Sequence, residues 1–154
     1  MKPYVKLFDV FKNYRGEVVF GDTGISTLFA FPPYNCVDVC AYMGGSVAMA
    51  NGAARSGLKN IWAVTGDFSF IAAGHLGLIE AVNQNINLKI LIFKNNKAQT
   101  TGGQNIDGNM LGKVLAGYEE AVLEIQDPQN QGEIETILNQ AAASDRLQII
   151  VAKY

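Results

Sequence analysis

Histidine and tryptophan occur once each and cysteine twice in 154 residues. Two thiols and one imidazole cannot complete a four-ligand zinc or iron–sulfur site, so Cys36 and Cys40 are read as reduced thiols. Apolar residues make up 49% of the chain, yet no uninterrupted apolar run approaches the roughly 20 residues that a membrane span needs. Charge is also sparse. The net charge of −2 is scattered, without a basic cluster, which argues against nucleic acid or an anionic membrane as partner. The opening "MKPYVKLFDVFKNY" carries charges throughout and lacks the pattern of a secretory leader. The expectation is a cytoplasmic protein whose partner is a small molecule or another protein. With no internal repeat or linker, residues 1–154 are expected to form one domain with its own core.

What is present alternates between two periods. Tyr4, Leu7, Phe8 and Phe11 fall at i, i+3, i+4 and i+7, the spacing of a helix with one apolar face. "EVVFGD" reads as a buried strand ending at Gly21-Asp22. The stretch from there to Pro32-Pro33, rich in Gly, Ser, Thr and Pro, is expected to be an irregular loop or lid. "GGSVAMANGAAR", residues 44–55, predicts a small-residue helix able to pack closely on a sheet or another subunit. "IWAVTGD" follows as a central strand, then a helix over residues 73–83 with Leu76, Ile79 and Val82 expected on its inner side. "NLKILIF" is another strand. A glycine-rich loop over residues 101–112, a weak helix, "AVLEI", a turn at Asp127-Pro128, a helix through Ile134, Ile137, Leu138 and Ala141, and "LQIIVA" complete the order. Strands alternating with helices predict a three-layer α/β/α fold with a mostly parallel sheet. Ligands of such folds bind beyond the carboxyl ends of the strands, where the loops after Phe20, Thr65 and Phe93 all emerge.

Asp67 and Asn95, 28 positions apart, therefore share one sheet edge if their strands are parallel neighbours joined by one helix. A carboxylate and an amide oxygen are hard donors suited to magnesium, which completes its shell with water and ligand phosphates. The turn after Asn95 offers backbone carbonyls as well. "GDFSF" also precedes a helix, whose first N–H groups attract phosphate.

This constellation resembles the thiamine diphosphate binding signature, a Gly-Asp followed some 25 to 30 residues later by Asn-Asn. "GDTGISTLFAFPP", "AYMGGSVAMANGAA", "GDFSFIAAGHLGLIEAV", "NLKILIFKNNKAQTTGGQ" and the terminal "DPQNQGEIETILNQAAASDRLQIIVAKY" are similar to the thiamine diphosphate domain of the indolepyruvate ferredoxin oxidoreductase alpha subunit. The resemblance implies that Asp67, Asn95 and the carbonyl of Lys97 hold magnesium. It implies that Gly66, Asp67, Phe68, Ser69 and Asn95 contact the diphosphate end of the cofactor, with Phe68 to Phe70 turning over it. The loop carrying Gly21, Asp22, Thr23 and Gly24, together with Met43 and Gly44, lines the cofactor by the same resemblance. Phe68 stands where many members have glycine. The implied reaction is decarboxylation of a 2-oxo acid. A glutamate on a pyrimidine-domain partner would activate the cofactor, and iron–sulfur clusters on a further ferredoxin-like subunit or domain would accept electrons. No catalytic side chain is assigned to this chain, which is expected to be incomplete alone and to form a dimer or hetero-oligomer. A split sulfopyruvate- or phosphonopyruvate-type decarboxylase subunit and a non-catalytic assembly module are the alternatives.

Each site residue also has a plainer reading. Asp67 can be a helix N-cap, Asn95-Asn96 a turn, and Asp22 a loop stabiliser. His75 falls near the first turn of the helix after "GDFSF" and reads as structural rather than catalytic. Met43 and Met49 read as packing residues, and Lys94 and Lys97 as solvated cations near the diphosphate.

Overall fold

A computed structural model describes residues 2–154. Six strands form one sheet in the order β2-β1-β3-β4-β8-β7: β1 (Val18–Asp22), β2 (Val39–Ala41), β3 (Ile61–Gly66), β4 (Leu88–Lys94), β7 (Val122–Ile125) and β8 (Gln148–Lys153). Every neighbouring pair is parallel. The continuous apolar runs of β3 and β4 follow from this, because a parallel strand in the middle of such a sheet is covered on both faces.

Alternate residues of each strand feed two separate cores. Trp62 and Val64 of β3 join Leu91 and Phe93 of β4 beneath α1 (Val5–Phe11) and α6 (Gln131–Ala143). Ile61, Ala63, Ile90 and Ile92 point the other way, toward α2 (Gly45–Arg55) and α4 (His75–Asn83). The helix over Tyr4 to Phe11 is present with the expected inner face, beginning as a 3-10 turn at Lys2–Tyr4. This is the three-layer α/β/α arrangement. Among the described residues no helix is long and apolar enough to cross a membrane. Cys36, buried, and Cys40, exposed, are free thiols.

Three expectations are corrected. The stretch after Asp22 is not irregular: Ile25–Ala30 winds as a 3-10 helix. Phe29 anchors it, stacking on Phe8 at 3.6 Å between ring centroids, so this segment is part of the core rather than a lid. The short strand β2 that follows carries too little apolar pattern to be read from sequence.

The third correction concerns α4. Leu76, Ile79 and Val82 are not its inner side; they are 62%, 51% and 46% exposed. Gly77, Leu78 and Ala81 face inward. The helix begins earlier than expected, with α3 (Asp67–Ser69) running through a π turn at Phe70–Gly74 into α4. A π turn inserts an extra residue and rotates the face that follows. Glycine then selects the contact: a Cβ at Gly77 would stand 2.8 Å from Val47 Cγ1 and 3.0 Å from the Ala48 nitrogen. Asn51 Nδ2 of α2 donates to the Gly77 carbonyl at 2.8 Å across this close approach. Hydrophobicity counting assigns no weight to the glycine that decides the packing.

Candidate functional site

The ends of β1, β3 and β4 open into a cleft of about 470 Å³, open solvent at its mouth included. Asp67 is buried in its wall, at 2% exposure. Its Oδ1 accepts from the Phe68 N–H at 2.8 Å and its Oδ2 from the Asn96 N–H at 2.6 Å. The second bond joins the end of β3 to the end of β4, in keeping with the register that sets Gly66 beside Phe93. Burial pushes the Asp67 carboxyl above the ordinary aspartate value. N–H groups of Asn96, Phe68 and Asn95 and the charge of Lys94 act in the opposite direction.

The two asparagines divide their labour by backbone conformation. Asn96 sits in the left-handed region at φ 56, which asparagine tolerates better than most residues. That twist delivers its N–H to Asp67 and folds the chain back as a hairpin of β5 (Lys97–Ala98) and β6 (Gln104–Asn105). Asn95 lines the cleft. Its Oδ1 accepts the Lys97 N–H at 3.0 Å, and its Nδ2 donates to Gln99 Oε1 at 3.1 Å. The Asn95 oxygen keeps a second lone pair that the Lys97 bond does not use.

The remaining expected residues separate into two groups. Thr23, Gly24, Met43, Gly66, Phe68, Ser69 and Lys97 line the cleft together with Asp67 and Asn95. Gly21 and Gly44 do not. A Cβ at Gly21 would meet Val37 Cγ1 at 2.7 Å, and one at Gly44 would meet Ala73 Cβ at 2.7 Å. Both are close-packing positions behind the cleft. Phe70 is likewise buried in the core beneath α2 rather than turned over the cleft. His75 lies outside the lining, its Nδ1 3.4 Å from the Phe70 carbonyl oxygen.

Asp22 reaches the cleft wall, but its carboxylate is engaged inside the protein. Oδ1 accepts the Ser46 N–H at the start of α2 at 2.9 Å, and Oδ2 accepts the Thr65 hydroxyl at 2.5 Å. Its carbonyl takes the Ser26 hydroxyl at 2.6 Å. Asp22 thus ties β1, α2 and β3 together, and its charge favours the N-terminal end of α2. Sequence reasoning missed Gln99, Thr100 and Thr101, which bring the hairpin tip over the cleft. The signal was available in the Gly102-Gly103 pair, both at positive φ, directly after the asparagine turn.

The residues suit a divalent cation and a diphosphate on two grounds. Asp67 and Asn95 bring a carboxylate and an amide oxygen to the cleft lining, the hard donor type that magnesium takes, while among the described residues no three His, Cys, Asp or Glu side chains cluster. Nothing stands within 4 Å of a Cβ built on Gly66, a cleft residue. The backbone leading into the helical stretch from Asp67 is left bare for close approach by a ligand.

A parallel α/β sheet with an acidic turn after one central strand and an asparagine turn after its neighbour defines a cofactor-binding domain of the α/β class. The chain belongs to the family described as thiamine pyrophosphate enzyme, C-terminal TPP binding domain, which it matches over residues 22–151. It is 28% identical over 144 residues to indolepyruvate oxidoreductase subunit IorA of Archaeoglobus fulgidus, covering 86% of this chain and 23% of that protein. It is 36% identical over 103 residues to 2-oxoglutarate oxidoreductase subunit KorB of Mycobacterium tuberculosis, covering 65% of this chain and 27% of that protein. The chain spans about a quarter of the length of these curated relatives. Its fold superposes on 2-oxoglutarate:ferredoxin oxidoreductase from Magnetococcus marinus with a TM-score of 0.74 at 15% identity, covering 96% of this chain and 60% of the other.

Proposed function

We propose that residues 1–154 act as the thiamine diphosphate- and magnesium-binding domain of a 2-oxo acid:ferredoxin oxidoreductase of the indolepyruvate type. The observation that carries this reading is the Asp67–Asn96 hydrogen bond, which sets the Asp67 carboxylate and the Asn95 amide on one cleft of a chain belonging to the thiamine pyrophosphate enzyme family. Asp67, Asn95 and the carbonyl of Lys97 hold the cation. The bare backbone at Gly66, with Phe68 and Ser69, faces the diphosphate, and Thr23, Gly24 and Met43 border the rest of the cofactor.

When bound, thiamine diphosphate supplies the nucleophilic carbon and the electron sink for decarboxylation of a 2-oxo acid. The contribution of this chain is placement. The Phe68 and Asn96 N–H groups hold the Asp67 carboxylate in one orientation, and burial excludes water from it, which strengthens its attraction for a cation. The hairpin tip at Gln99 to Thr101 borders the cleft and limits solvent access. Activation of the cofactor by a glutamate and transfer of electrons through iron–sulfur clusters fall to a pyrimidine-domain partner and a ferredoxin-like partner. The exposed Leu76, Ile79 and Val82 stripe supports an assembled state.

Calorimetry with thiamine diphosphate, with and without magnesium, tests the reading. Binding is expected to require magnesium, and Asp67→Ala is expected to weaken it about 100-fold or more while leaving the circular dichroism spectrum unchanged. Absence of binding by the wild-type chain even with a pyrimidine-domain partner would overturn it.

A further inference from the structure

Gln99 follows β5 directly and lines the cleft where the hairpin bends over it. The tip that carries it is braced at several points. The Thr101 and Gly103 N–H groups both donate to the Ala98 carbonyl, at 3.3 and 3.0 Å, and Gln104 Nε2 donates to the Thr101 carbonyl at 2.7 Å. Thr100 Oγ1 stands 3.7 Å from the place a Cβ on Gly24 would occupy. The tip therefore reaches past the end of β3 to the turn after β1. Gln99 is held on a closed turn, not on a free loop.

What Gln99 touches is Asn95. Asn95 Nδ2 donates to Gln99 Oε1 at 3.1 Å, while Asn95 Oδ1 accepts the Lys97 N–H at 3.0 Å. A backbone N–H pairs only with the oxygen end of a side-chain amide, and the Gln99 oxygen only with the nitrogen end. Both bonds thus select the same one of the two amide orientations. The terminal torsion of a free asparagine is broad and roughly two-fold. Turning the Asn95 amide over would set donor against donor at Lys97 and acceptor against acceptor at Gln99.

We infer that Gln99 is a positioning residue for Asn95, fixing the amide so that its oxygen rather than its nitrogen is offered to a divalent cation in the cleft. The inference rests on the reading of Asn95 as a cation ligand. Magnesium demands near-ideal octahedral geometry, so an amide that turns freely is a poor ligand for it, and an amide turned over offers an NH2 group that repels a cation. The Lys97 bond leaves one lone pair on the Asn95 oxygen. Gln99 acts from outside the coordination shell, through a neutral acceptor, and its loss weakens a metal site without removing a ligand.

Gln99→Met in the full chain keeps an unbranched side chain of similar length and removes the acceptor, whereas Gln99→Glu keeps an acceptor. Magnesium titrations by calorimetry, in saturating thiamine diphosphate, are expected to show about tenfold weaker magnesium binding for Gln99→Met. Gln99→Glu is expected to bind at least as tightly as wild type. In the metal-free chain, the Asn95 side-chain amide signals in nitrogen–proton correlation spectra are expected to shift in Gln99→Met, with the melting temperature unchanged. Superimposable Gln99→Met and wild-type titrations would overturn the inference and leave the proposed function standing. So would a loss shared by Gln99→Glu, a loss with the Asn95 amide signals unmoved, or a loss that follows a lower melting temperature, since none of these runs through the acceptor. A wild-type chain that binds no magnesium would overturn both readings.

Discussion

Asp67 shows how burial and hydrogen bonding oppose each other at a single residue. Burial raises its carboxyl pKa above 3.8 against the pull of the Asn96 and Phe68 N–H groups. Between 3.8 and that raised value, the folded chain holds a proton that the unfolded chain has released. Metal-free stability therefore falls as pH rises through this window and levels off above it. Asp67→Asn is expected to abolish this slope, as read by urea denaturation between pH 3.5 and 7 without metal. On the proposed function, magnesium would compete with the same proton, so its binding is expected to weaken as pH falls toward the window. An Asp67→Asn curve parallel to wild type would assign the slope to another group. Asp67 and Asn95 were legible in sequence because each follows a strongly apolar strand. Asp22 follows one too, but only the fold shows its carboxylate engaged by Ser46 and Thr65.

At the scale of elements, the turn before α2 and the helical stretch from Asp67 form one packed unit. Gly44 has φ +80, and a Cβ there would lie 2.7 Å from Ala73 Cβ and 2.9 Å from both the Gly74 nitrogen and the Ser69 oxygen. Gly44→Ala is expected to cost about 2–4 kcal/mol, combining left-handed strain with overpacking against backbone. Chemical denaturation measures it. A loss below about 0.5 kcal/mol, the usual scale of a surface substitution, would show that the turn yields. Strand periodicity and the helices α1, α2 and α6 were readable because each buries a regular stripe. The phase of α4 was not, because a π turn shifts it and glycine rather than leucine makes the contact with α2.

At the scale of the whole molecule, the consequence of that phase is an apolar stripe left facing outward. Leu76 and Ile79 lie one turn apart on α4, and Met49 of the neighbouring α2 is exposed as well. Leu76→Glu combined with Ile79→Glu is expected to leave the isolated chain folded. On the proposed function, it should weaken association with a pyrimidine-domain partner on the order of 100-fold, measured by sedimentation velocity. Unchanged association would place the partner elsewhere.

The sequence by itself determined the layer order, the parallel sheet and the pair Asp67 and Asn95, because strand burial and βαβ crossovers leave little freedom in where strand ends emerge. Tertiary structure decided which polar groups face the cleft, which glycines are packing wedges, and how the hairpin tip borders the cleft. These outcomes depend on atoms brought together from distant parts of the chain at contact distance. Local periodicity carries no record of a 2.7 Å approach.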